Sequence, residues 1–342
     1  MRIAVDAMGG DHAPEHPVNG AVLAARDLDV KIALVGDQAV LAPVLERHGS
    51  PASIDIVHAE EAIGMDESVA VAVRRKRHSS IHEAARLLRR GEVQGLVSAG
   101  NTGAVMAIAK VIVGTLDGVD RPALAVVLPT QTGHAVVLDV GANVEPKSRQ
   151  LVQFAVMGAH FASEILDVDR PRVGLLSIGE EAGKGNELVR NAHATLQDSP
   201  LNFIGNVEAS DLYRGGADVV VCDGFTGNIL LKTTEAAVET LRFLMRSEFT
   251  RTWSGRLAGL LGRGAFHRLR SRVDYAEFGG APLLGLRGLG VICHGRSNPR
   301  AIRNGVRVAV EYGHHSVDQR IEAELAGMET QITGAADRAA TT

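Results

Sequence analysis

Aromatic residues and cysteines are both scarce in this chain of 342 residues. Phe, Trp and Tyr make up 4% of the sequence, so Val, Ala, Leu and Ile must build the core. The two cysteines, Cys222 and Cys293, are far apart and show no CxxC spacing, which indicates neither a disulfide framework nor a zinc cluster. Each is predicted to be a buried packing residue, as suits a reducing cytosol.

The chain also lacks an excess of positive charge and a long apolar run. Its 36 Lys and Arg residues against 40 Asp and Glu residues give a formal net charge of −4, which argues against a nucleic-acid partner. The longest uncharged stretches, residues 93–109 and 123–138, are broken by polar residues, Gly or Pro, so we expect no membrane-spanning helix. The N-terminal residues show no apolar signal region. We therefore predict a cytoplasmic protein.

Glycine and short β-rich runs are plentiful. There are 38 glycines, and runs such as residues 3–5, 31–35, 95–97 and 135–138 alternate with helical stretches. That alternation indicates βαβ units and hence an α/β fold, with three layers in which helices cover a largely parallel sheet. Since linkers and internal repeats are missing, residues 1–330 are predicted to form a single domain, and residues 331–342 a loose tail.

The clearest motif is a strand that passes through a turn of small polar residues into an apolar helix. The turn reads Ser98-Ala99-Gly100-Asn101-Thr102-Gly103. Gly100 and Gly103 let the backbone approach a ligand, while free amides and the helix dipole favour an anion. Ser98, Asn101 and Thr102 add side-chain donors. An ordinary turn with an Asn or Thr N-cap explains this motif equally well when it is taken alone.

Similar turns follow other strands. Residues 139–145 and 223–228 both combine an acid, a Gly and an Asn, and residues 6–14 begin with an acid directly after the first strand. The carboxyl ends of parallel strands meet at one edge of a sheet, so we expect these turns to converge with residues 98–103 on one anionic-ligand site. The acids near the N terminus also allow a metal site, although a capped turn is the commoner use of such residues.

Lys184 lies between Gly183 and Gly185 in a loop that follows another predicted strand. The loop looks like a nucleotide P-loop but lacks the Ser or Thr that must follow the lysine. A lysine flanked by glycines can still approach a phosphate or a developing oxyanion as a point charge. The alternative is a solvated loop lysine.

Two basic segments complete the set of motifs. Residues 74–77 read Arg-Arg-Lys-Arg, which could grip a phosphate-bearing carrier but which we interpret first as a solvated face. Residues 242–273 are rich in Arg and place apolar side chains at helical spacing. These are Phe249, Trp253, Leu257, Leu260 and Leu261 and, after a glycine break at 262–264, Phe266, Leu269 and Val273. The segment predicts a protruding basic amphipathic helical hairpin, with its tip at about 242–273, that contacts a membrane or a partner.

Taken in order, these motifs resemble the phosphate acyltransferases of bacterial phospholipid synthesis, which make acyl-phosphate from acyl-acyl carrier protein and phosphate. The resemblance covers nearly the whole chain. The matching stretches are residues 6–11, 65–81, 98–104, 139–143, 176–187, 203–208, 223–228, 275–286 and 294–298. One departure is Val69, where the family pattern has Pro; it loosens a loop assignment and touches no proposed catalytic group.

The resemblance implies a fold similar to that of phosphate acetyltransferases and of isocitrate or isopropylmalate dehydrogenases, usually as a homodimer. It implies acyl carrier protein and inorganic phosphate as substrates, with no cofactor and no metal. It also implies peripheral contact with an anionic membrane, where a membrane-bound glycerol-3-phosphate acyltransferase would consume the product.

In the implied reaction a phosphate oxygen attacks a thioester carbonyl and a thiol leaves. Phosphate is already largely dianionic near neutral pH, so positioning and charge stabilisation should matter more than a strong general base. We expect residues 98–103 to hold phosphate, while Lys184 and Asn228 stabilise phosphate and the carbonyl oxygen. Asp223 and Asn143 would orient these groups. The supporting residues are Asp6 and Asp139.

Three other functions stay open on the sequence. A phosphotransacetylase acting on short acyl-CoA shares the fold logic and the phosphate site. A non-catalytic membrane scaffold would use the hairpin alone and leaves the polar turns unexplained. An NAD-linked dehydrogenase lacks its fingerprint, because residues 6–11 do not read GxGxxG.

Overall fold

The computed structural model describes residues 1–264, 279–315 and 317–340, with side chains as far as Met328. The strands are β1 (Arg2–Asp6), β2 (Lys31–Gly36), β3 (Ile54–His58), β4 (Gly95–Ser98), β5 (Ala123–Pro129), β6 (His134–Leu138), β7 (Val173–Leu176), β8 (Phe203–Val207), β9 (Val219–Val221), β10 (Ala281–Leu284) and β11 (Leu289–Ile292). The helices are α1 (Glu15–Asp27), α2 (Gln38–Glu46), α3 (Val69–Arg75), α4 (Ser80–Arg89), α5 (Thr102–Ile112), α6 (Ser148–Ile165), α7 (Glu187–Gln197), α8 (Ala209–Arg214), α9 (Gly224–Arg251), α10 (Trp253–Leu261), α11 (Pro299–His314) and α12 (Val317–Ala340).

The eleven strands of the described chain form one sheet in the order β3-β2-β1-β4-β11-β10-β5-β6-β9-β7-β8. The first five strands in that order are parallel to one another, and so are the last four. We call these sets the first and second strand blocks. Between them, the described pairs β11–β10, β10–β5 and β5–β6 are antiparallel. Because three reversals leave a net reversal, the two blocks run in opposite directions.

The sheet is buried on both faces, which explains why its strands read as continuous apolar runs. Along β1, Ile3 and Val5 face a cluster that includes residues of α1, α6 and α11, whereas Ala4 faces a second cluster with α4 and α5. Fully burying such an aliphatic side chain contributes about 1.5–3 kcal/mol. The predicted three-layer α/β fold with a largely parallel sheet is confirmed.

The structure differs from the sequence prediction at the C terminus. Helix α12 continues to Ala340, where the sequence suggested a loose tail from residue 331. The residues that end the helix include several alanines, and alanine has the highest helix propensity of the amino acids.

The chain turns between α9 and α10. Thr252 caps α10, because its Oγ1 accepts a hydrogen bond from the Gly255 N–H at 3.0 Å. At Gly259 an added Cβ would lie 3.7 Å from the Phe249 Cβ, so α10 folds back along the end of α9. The sequence did not predict this turn. Helix α10 ends at Leu261, next to the predicted glycine break.

The rest of the predicted hairpin, including Phe266, Leu269 and Val273, lies outside the described residues, so the complete hairpin stays a prediction. None of the helices described here has the length and apolar character that crossing a bilayer requires.

Candidate active site

The first candidate cluster is built from the turns that follow β1 and β4. These neighbouring parallel strands place Asp6 opposite Ser98. The Ser98 hydroxyl donates to Asp6 Oδ2 at 2.6 Å and accepts from the Gly100 N–H at 3.0 Å. The Met8 N–H donates to the other Asp6 oxygen at 3.2 Å. We call residues 6–11 and 98–103 the first turn cluster, because Asp6 and Ser98 join them.

Asp6 is 3% exposed and therefore supports the turn from beneath. Burial raises the pKa of its carboxyl group, because the charged form loses water, and hydrogen bonds from Ser80, Ser98, Met8 and Gly9 oppose that rise. The structure thus places Asp6 beneath the turn, and its supporting role in the site stays a prediction.

The glycines of this cluster let two backbones touch. A Cβ added to Gly9 would lie 2.8 Å from the Gly100 nitrogen and 2.6 Å from Asp6 Oδ2. A Cβ added to Gly103 would lie 2.8 Å from Val69 Cγ2. The structure thus uses Gly100 and Gly103 for contacts between protein segments, where the sequence reasoning gave them to a ligand.

Asn101 is fully occupied by the protein. Its Oδ1 caps α5 by accepting from the Ala104 N–H at 3.1 Å. Its Nδ2 donates to the carbonyl oxygens of Met65 at 2.7 Å and of Glu67 at 3.1 Å. Both amide hydrogens therefore hold the segment before α3 in place. In this structure Asn101 has a structural role and leaves no side-chain donor for the predicted phosphate.

The start of α5 keeps the features of an anion site. The Thr102 side chain is exposed in the first turn of the helix. Within the described ranges, no hydrogen bond uses the backbone N–H of Thr102 or Gly103. Unpaired amides at a helix N-terminus attract negative charge. Thr102 thus offers a backbone and a side-chain donor to a phosphate, and Gly103 offers a backbone donor.

The second candidate cluster follows β6 and β9. The Cys222 N–H donates to the Leu138 carbonyl oxygen at 2.8 Å, and the Gly224 N–H donates to the Asn143 carbonyl oxygen at 2.7 Å. A Cβ at Gly227 would lie 2.0 Å from the Asp139 carbonyl oxygen, so glycine is needed there. We call residues 139–145 and 223–228 the second turn cluster. Their predicted convergence is confirmed.

Asp139 organises this cluster from a fully buried position. Its carboxylate accepts from the backbone N–H groups of Leu124 and Ala142 at 3.0 Å each and of Asn143 at 2.5 Å. Burial raises its pKa, and these hydrogen bonds oppose the rise. The Asn143 Nδ2 donates to Asp139 at 3.0 Å and to the Pro122 carbonyl oxygen at 2.8 Å. Both residues shape the turn.

The three predicted catalytic residues differ in their surroundings. Asp223 caps α9, since its carboxylate accepts from the Thr226 N–H at 2.9 Å and from the Thr226 hydroxyl at 2.7 Å. Asn228 and Lys184 are exposed. The Lys184 loop follows β7, which lies beside β9, so the loop shares an edge of the sheet with the second turn cluster.

The prediction that all these turns meet at one edge is wrong. Because the two strand blocks run in opposite directions, the first turn cluster lies at one edge of the sheet and the second at the other. Four inter-strand steps separate β4 from β6, which amounts to roughly 19 Å at about 4.8 Å per step. The structure therefore brings together Asp6 with Ser98 and, separately, Asp139 with Asn143 and Asp223.

Sequence reasoning missed two buried oxygens beneath the Lys184 loop. Among the described residues, Ser177 Oγ and Asn206 Oδ1 are buried without a hydrogen-bond partner. The Asn206 Nδ2 donates to the Glu181 carbonyl oxygen at 2.8 Å and so ties the loop to β8. Their position at strand ends was the available signal, because such ends collect functional groups in α/β sheets.

Both cysteines are buried, as predicted. Burial raises the pKa of Cys293 to about 12, and that of Cys222 well above its ordinary value. Neither thiol is therefore ionised near neutral pH. In the described part of the chain, no three His, Cys, Asp or Glu side chains are grouped as metal ligands.

The fold is that of the phosphotransacetylase class of structures. A phosphotransacetylase from Streptococcus pyogenes aligns with TM-score 0.59 and 19% identity, covering 94% of this chain and 94% of that one. The EutD phosphotransacetylase from Staphylococcus aureus aligns with TM-score 0.58 and 17% identity, covering 92% of this chain and 94% of that one. At such identities the likeness concerns the fold alone.

The sequence comparisons are more specific. Residues 1–320 match the family described as fatty acid synthesis protein. A phosphate acyltransferase of Acidobacterium capsulatum is 52% identical over 95% of this chain and 97% of its own length. A phosphate acyltransferase of Geobacter sp. (strain M21) is 48% identical over 95% of this chain and 93% of its own length. The chain belongs to this family of phosphate acyltransferases, so it is an acyltransferase enzyme, and the resemblance found in its motifs is confirmed.

The buried Asp6 predicts a pH dependence of stability. Its raised pKa means that the folded state binds a proton more tightly than the unfolded state, whose carboxyl keeps the ordinary value of 3.8. The free energy of unfolding should therefore fall as pH rises from that value through the folded-state pKa. Asp6→Asn should remove this slope. Thermal unfolding from about pH 4 to about pH 7 measures it.

The control for this comparison is Asp66→Asn, which changes an exposed acid close to the same cluster. It should leave the pH profile of the wild type unchanged. Parallel stability profiles of the wild type and Asp6→Asn across the whole range would contradict the role assigned to burial of Asp6.

Proposed function

We propose that this enzyme transfers the acyl group of acyl-acyl carrier protein to inorganic phosphate, reversibly, and so makes acyl-phosphate. The observation that carries the proposal is the near full-length likeness to proteins named phosphate acyltransferase, at about half identity. No cofactor is required by this chemistry, because the acceptor is itself the nucleophile. Acyl-phosphate is a reactive mixed anhydride, suited to acylate glycerol 3-phosphate in phospholipid synthesis.

Phosphate binds, in this proposal, at the start of α5. The amides of Thr102 and Gly103 would donate to phosphate oxygens, and the exposed Thr102 hydroxyl would add a third donor. The buried Asp6–Ser98 pair holds this turn rigid from below. A phosphate oxygen then attacks the thioester carbon and the carbon–sulfur bond breaks. The leaving thiolate takes up the proton that hydrogen phosphate gives up. Binding in the correct orientation supplies much of the rate.

Lys184 and Asn228 are proposed to stabilise the developing charge on phosphate and on the carbonyl oxygen. Both side chains are exposed and lie on the edge of the second turn cluster, while Asp223 and Asn143 hold the local backbone. Since the first turn cluster lies at the opposite edge, one chain does not bring the two together. A homodimer is therefore part of the proposal, with each site built from the first cluster of one subunit and the second of its partner.

The enzyme is proposed to be cytoplasmic and to bind the membrane surface through α10. Trp253 and Leu261 are 80% exposed, and Leu257 and Leu260 about half exposed, which supports an apolar contact. Arginines on the same segment favour anionic lipid. This contact would bring acyl-phosphate to a membrane-bound glycerol-3-phosphate acyltransferase.

The choice of acyl donor tests the function directly. With phosphate as acceptor, we expect acyl-acyl carrier protein to give a kcat/KM about tenfold or more above that of short acyl-CoA, because a carrier adds binding contacts. Formation of acyl-phosphate, trapped with hydroxylamine, is the measurement. A preference for short acyl-CoA would make the enzyme a phosphotransacetylase, and no product from either donor would remove the proposed activity.

Subunit complementation tests the composite site. Lys184→Ala and Thr102→Glu should each abolish activity, the first by removing a charge and the second by repelling phosphate. Co-expressed, the two variants should recover about a quarter of wild-type activity, because half of the dimers are mixed and each holds one intact site. Steady-state rates of the purified mixture measure this recovery.

Lys31→Ala, at another exposed lysine, is the control and should retain full activity. Near-normal turnover by Lys184→Ala alone would remove this lysine from the mechanism. If both single variants are inactive and the mixture is too, the site does not combine two subunits as proposed.

Membrane binding is tested by sedimentation with liposomes. Leu260→Asp with Leu261→Asp should release the enzyme from anionic liposomes, because charged groups resist burial in the lipid interface. The matched control is Val40→Asp with Ile204→Asp, two apolar residues that are 40% and 41% exposed elsewhere. Equal sedimentation of the α10 variant and the wild type would make the segment purely structural.

A further inference from the structure

A basic groove lies between α3, α4 and α5, beside the first turn cluster, and no residue of either turn cluster lines it. It is open, with a volume of about 340 Å³. Five arginines line it, namely Arg74, Arg77, Arg86, Arg89 and Arg90. The first two come from the basic run that the sequence suggested to be a solvated face, the next two from α4, and Arg90 from the position directly after α4. The fold thus concentrates positive charge that is dispersed in the sequence.

Much of this charge is not neutralised. Arg86 pairs with Glu83, and Arg90 pairs with Glu92 at 2.5 Å. Among the residues described, no carboxylate forms an ion pair with Arg74, Arg77 or Arg89. An unbalanced group of arginines on one surface attracts an anionic partner over several ångströms and raises its association rate.

Lys76 shows that the basic run is divided between two tasks. Its ammonium group turns inward, donating to Glu67 and to the Ala62 carbonyl oxygen at 2.7 Å each. Arg74 and Arg77 on either side point into the groove. The run is therefore more than a uniformly solvated surface, because Lys76 anchors the segment before α3 while Arg74 and Arg77 line the groove.

The floor of the groove is apolar. Val73, Ile108 and Val111 contribute to the lining, and Val111 is 69% exposed. A free phosphate would use the arginines and leave this floor uncovered. An amphipathic helix with acidic and apolar residues would satisfy both parts, since its apolar residues cover the floor while its carboxylates meet the arginine rim.

The groove is connected to the proposed phosphate site. Val69, at the start of α3, lies against Gly103, and α5 runs from Thr102 to the groove. Ile108 follows Thr102 by six residues, or about 9 Å along the helix axis at about 1.5 Å per residue. A partner in the groove would therefore stand close enough to present a group on a flexible arm to the start of α5.

We propose that this groove docks an acidic helix of the acyl carrier protein and so positions the acyl thioester for transfer. The inference rests on the proposed function, because it takes the acyl carrier protein as the donor. Docking through arginines should be sensitive to salt, as contacts between exposed charges are screened within about 8–10 Å at physiological ionic strength.

The test compares the full-length wild type with Arg74→Glu/Arg89→Glu. Binding of a fluorescently labelled acyl carrier protein is measured by anisotropy, and turnover is measured with acyl-acyl carrier protein and with acyl-pantetheine, which has no protein. We expect the variant to bind the carrier about tenfold or more weakly and to raise KM for the carrier thioester by a similar factor. Turnover of acyl-pantetheine serves as the reference for an intact fold and site.

The matched control is Arg26→Glu/Arg47→Glu, which makes the same charge change at two exposed arginines, one of them on α1 at the opposite face of the sheet. It should bind the carrier like the wild type. A rescue variant, Arg74→Lys/Arg89→Lys, keeps the charge and should recover most of the binding.

The possible outcomes distinguish failure of the docking proposal from failure of the proposed function. Unchanged carrier binding and turnover in Arg74→Glu/Arg89→Glu would overturn the groove and leave the function standing. The wild type could bind the carrier through the groove and yet form no acyl-phosphate. That result would support the docking proposal and overturn the proposed function. The docking proposal would be overturned if the variant lost turnover equally with both donors, or if the wild type did not bind the carrier. It would also be overturned if the variant lost binding to anionic vesicles and kept binding to the carrier.

Discussion

Two buried carboxylates, Asp6 and Asp139, hold the turns on which the candidate site depends. Each stands directly at a strand end and accepts hydrogen bonds from several neighbouring backbone N–H groups. Burial raises the pKa of each, and the hydrogen bonds from those donors oppose the rise. The buried N–H groups in turn gain hydrogen-bond acceptors, which water does not supply in the interior. The exposed groups proposed to act on substrate, Thr102 and Asn228, are positioned by this arrangement.

The direction of the strands sets a second constraint. The antiparallel strands β10 and β5 reverse the sheet between the blocks, so that the two buried carboxylates organise opposite edges. Each edge alone offers part of the proposed chemistry: free amides at the start of α5, or Lys184 with Asn228. The proposed homodimer joins the two without distorting either turn, since twofold symmetry supplies both combinations at once.

Local sequence pattern predicted several of the strands, the helical layers and the turns of the two turn clusters, because these depend on neighbouring residues. Strand direction across the sheet depends on pairing between distant segments, which no local pattern contains. At the site, the residue type did not decide whether a side chain binds a ligand or caps a helix. Asn101 and Asp223 carry short polar side chains of the kind that bind ligands, yet both cap helices. The same side chains suit either purpose. Only the positions of their partners decide which use applies.

The arginine groove illustrates the same limit from the other side. Residues 74–77 alone were best explained as a solvated face. The spacing of Arg86, Arg89 and Arg90, in and directly after α4, carried no signal of its own. Their meaning arises when α3 and α4 pack beside α5 and place both sets around an apolar floor. Charge without that floor would attract any anion, whereas charge around it selects a partner that is acidic and apolar together. The proposed donor, a thioester carried by a small acidic protein, would require that selectivity.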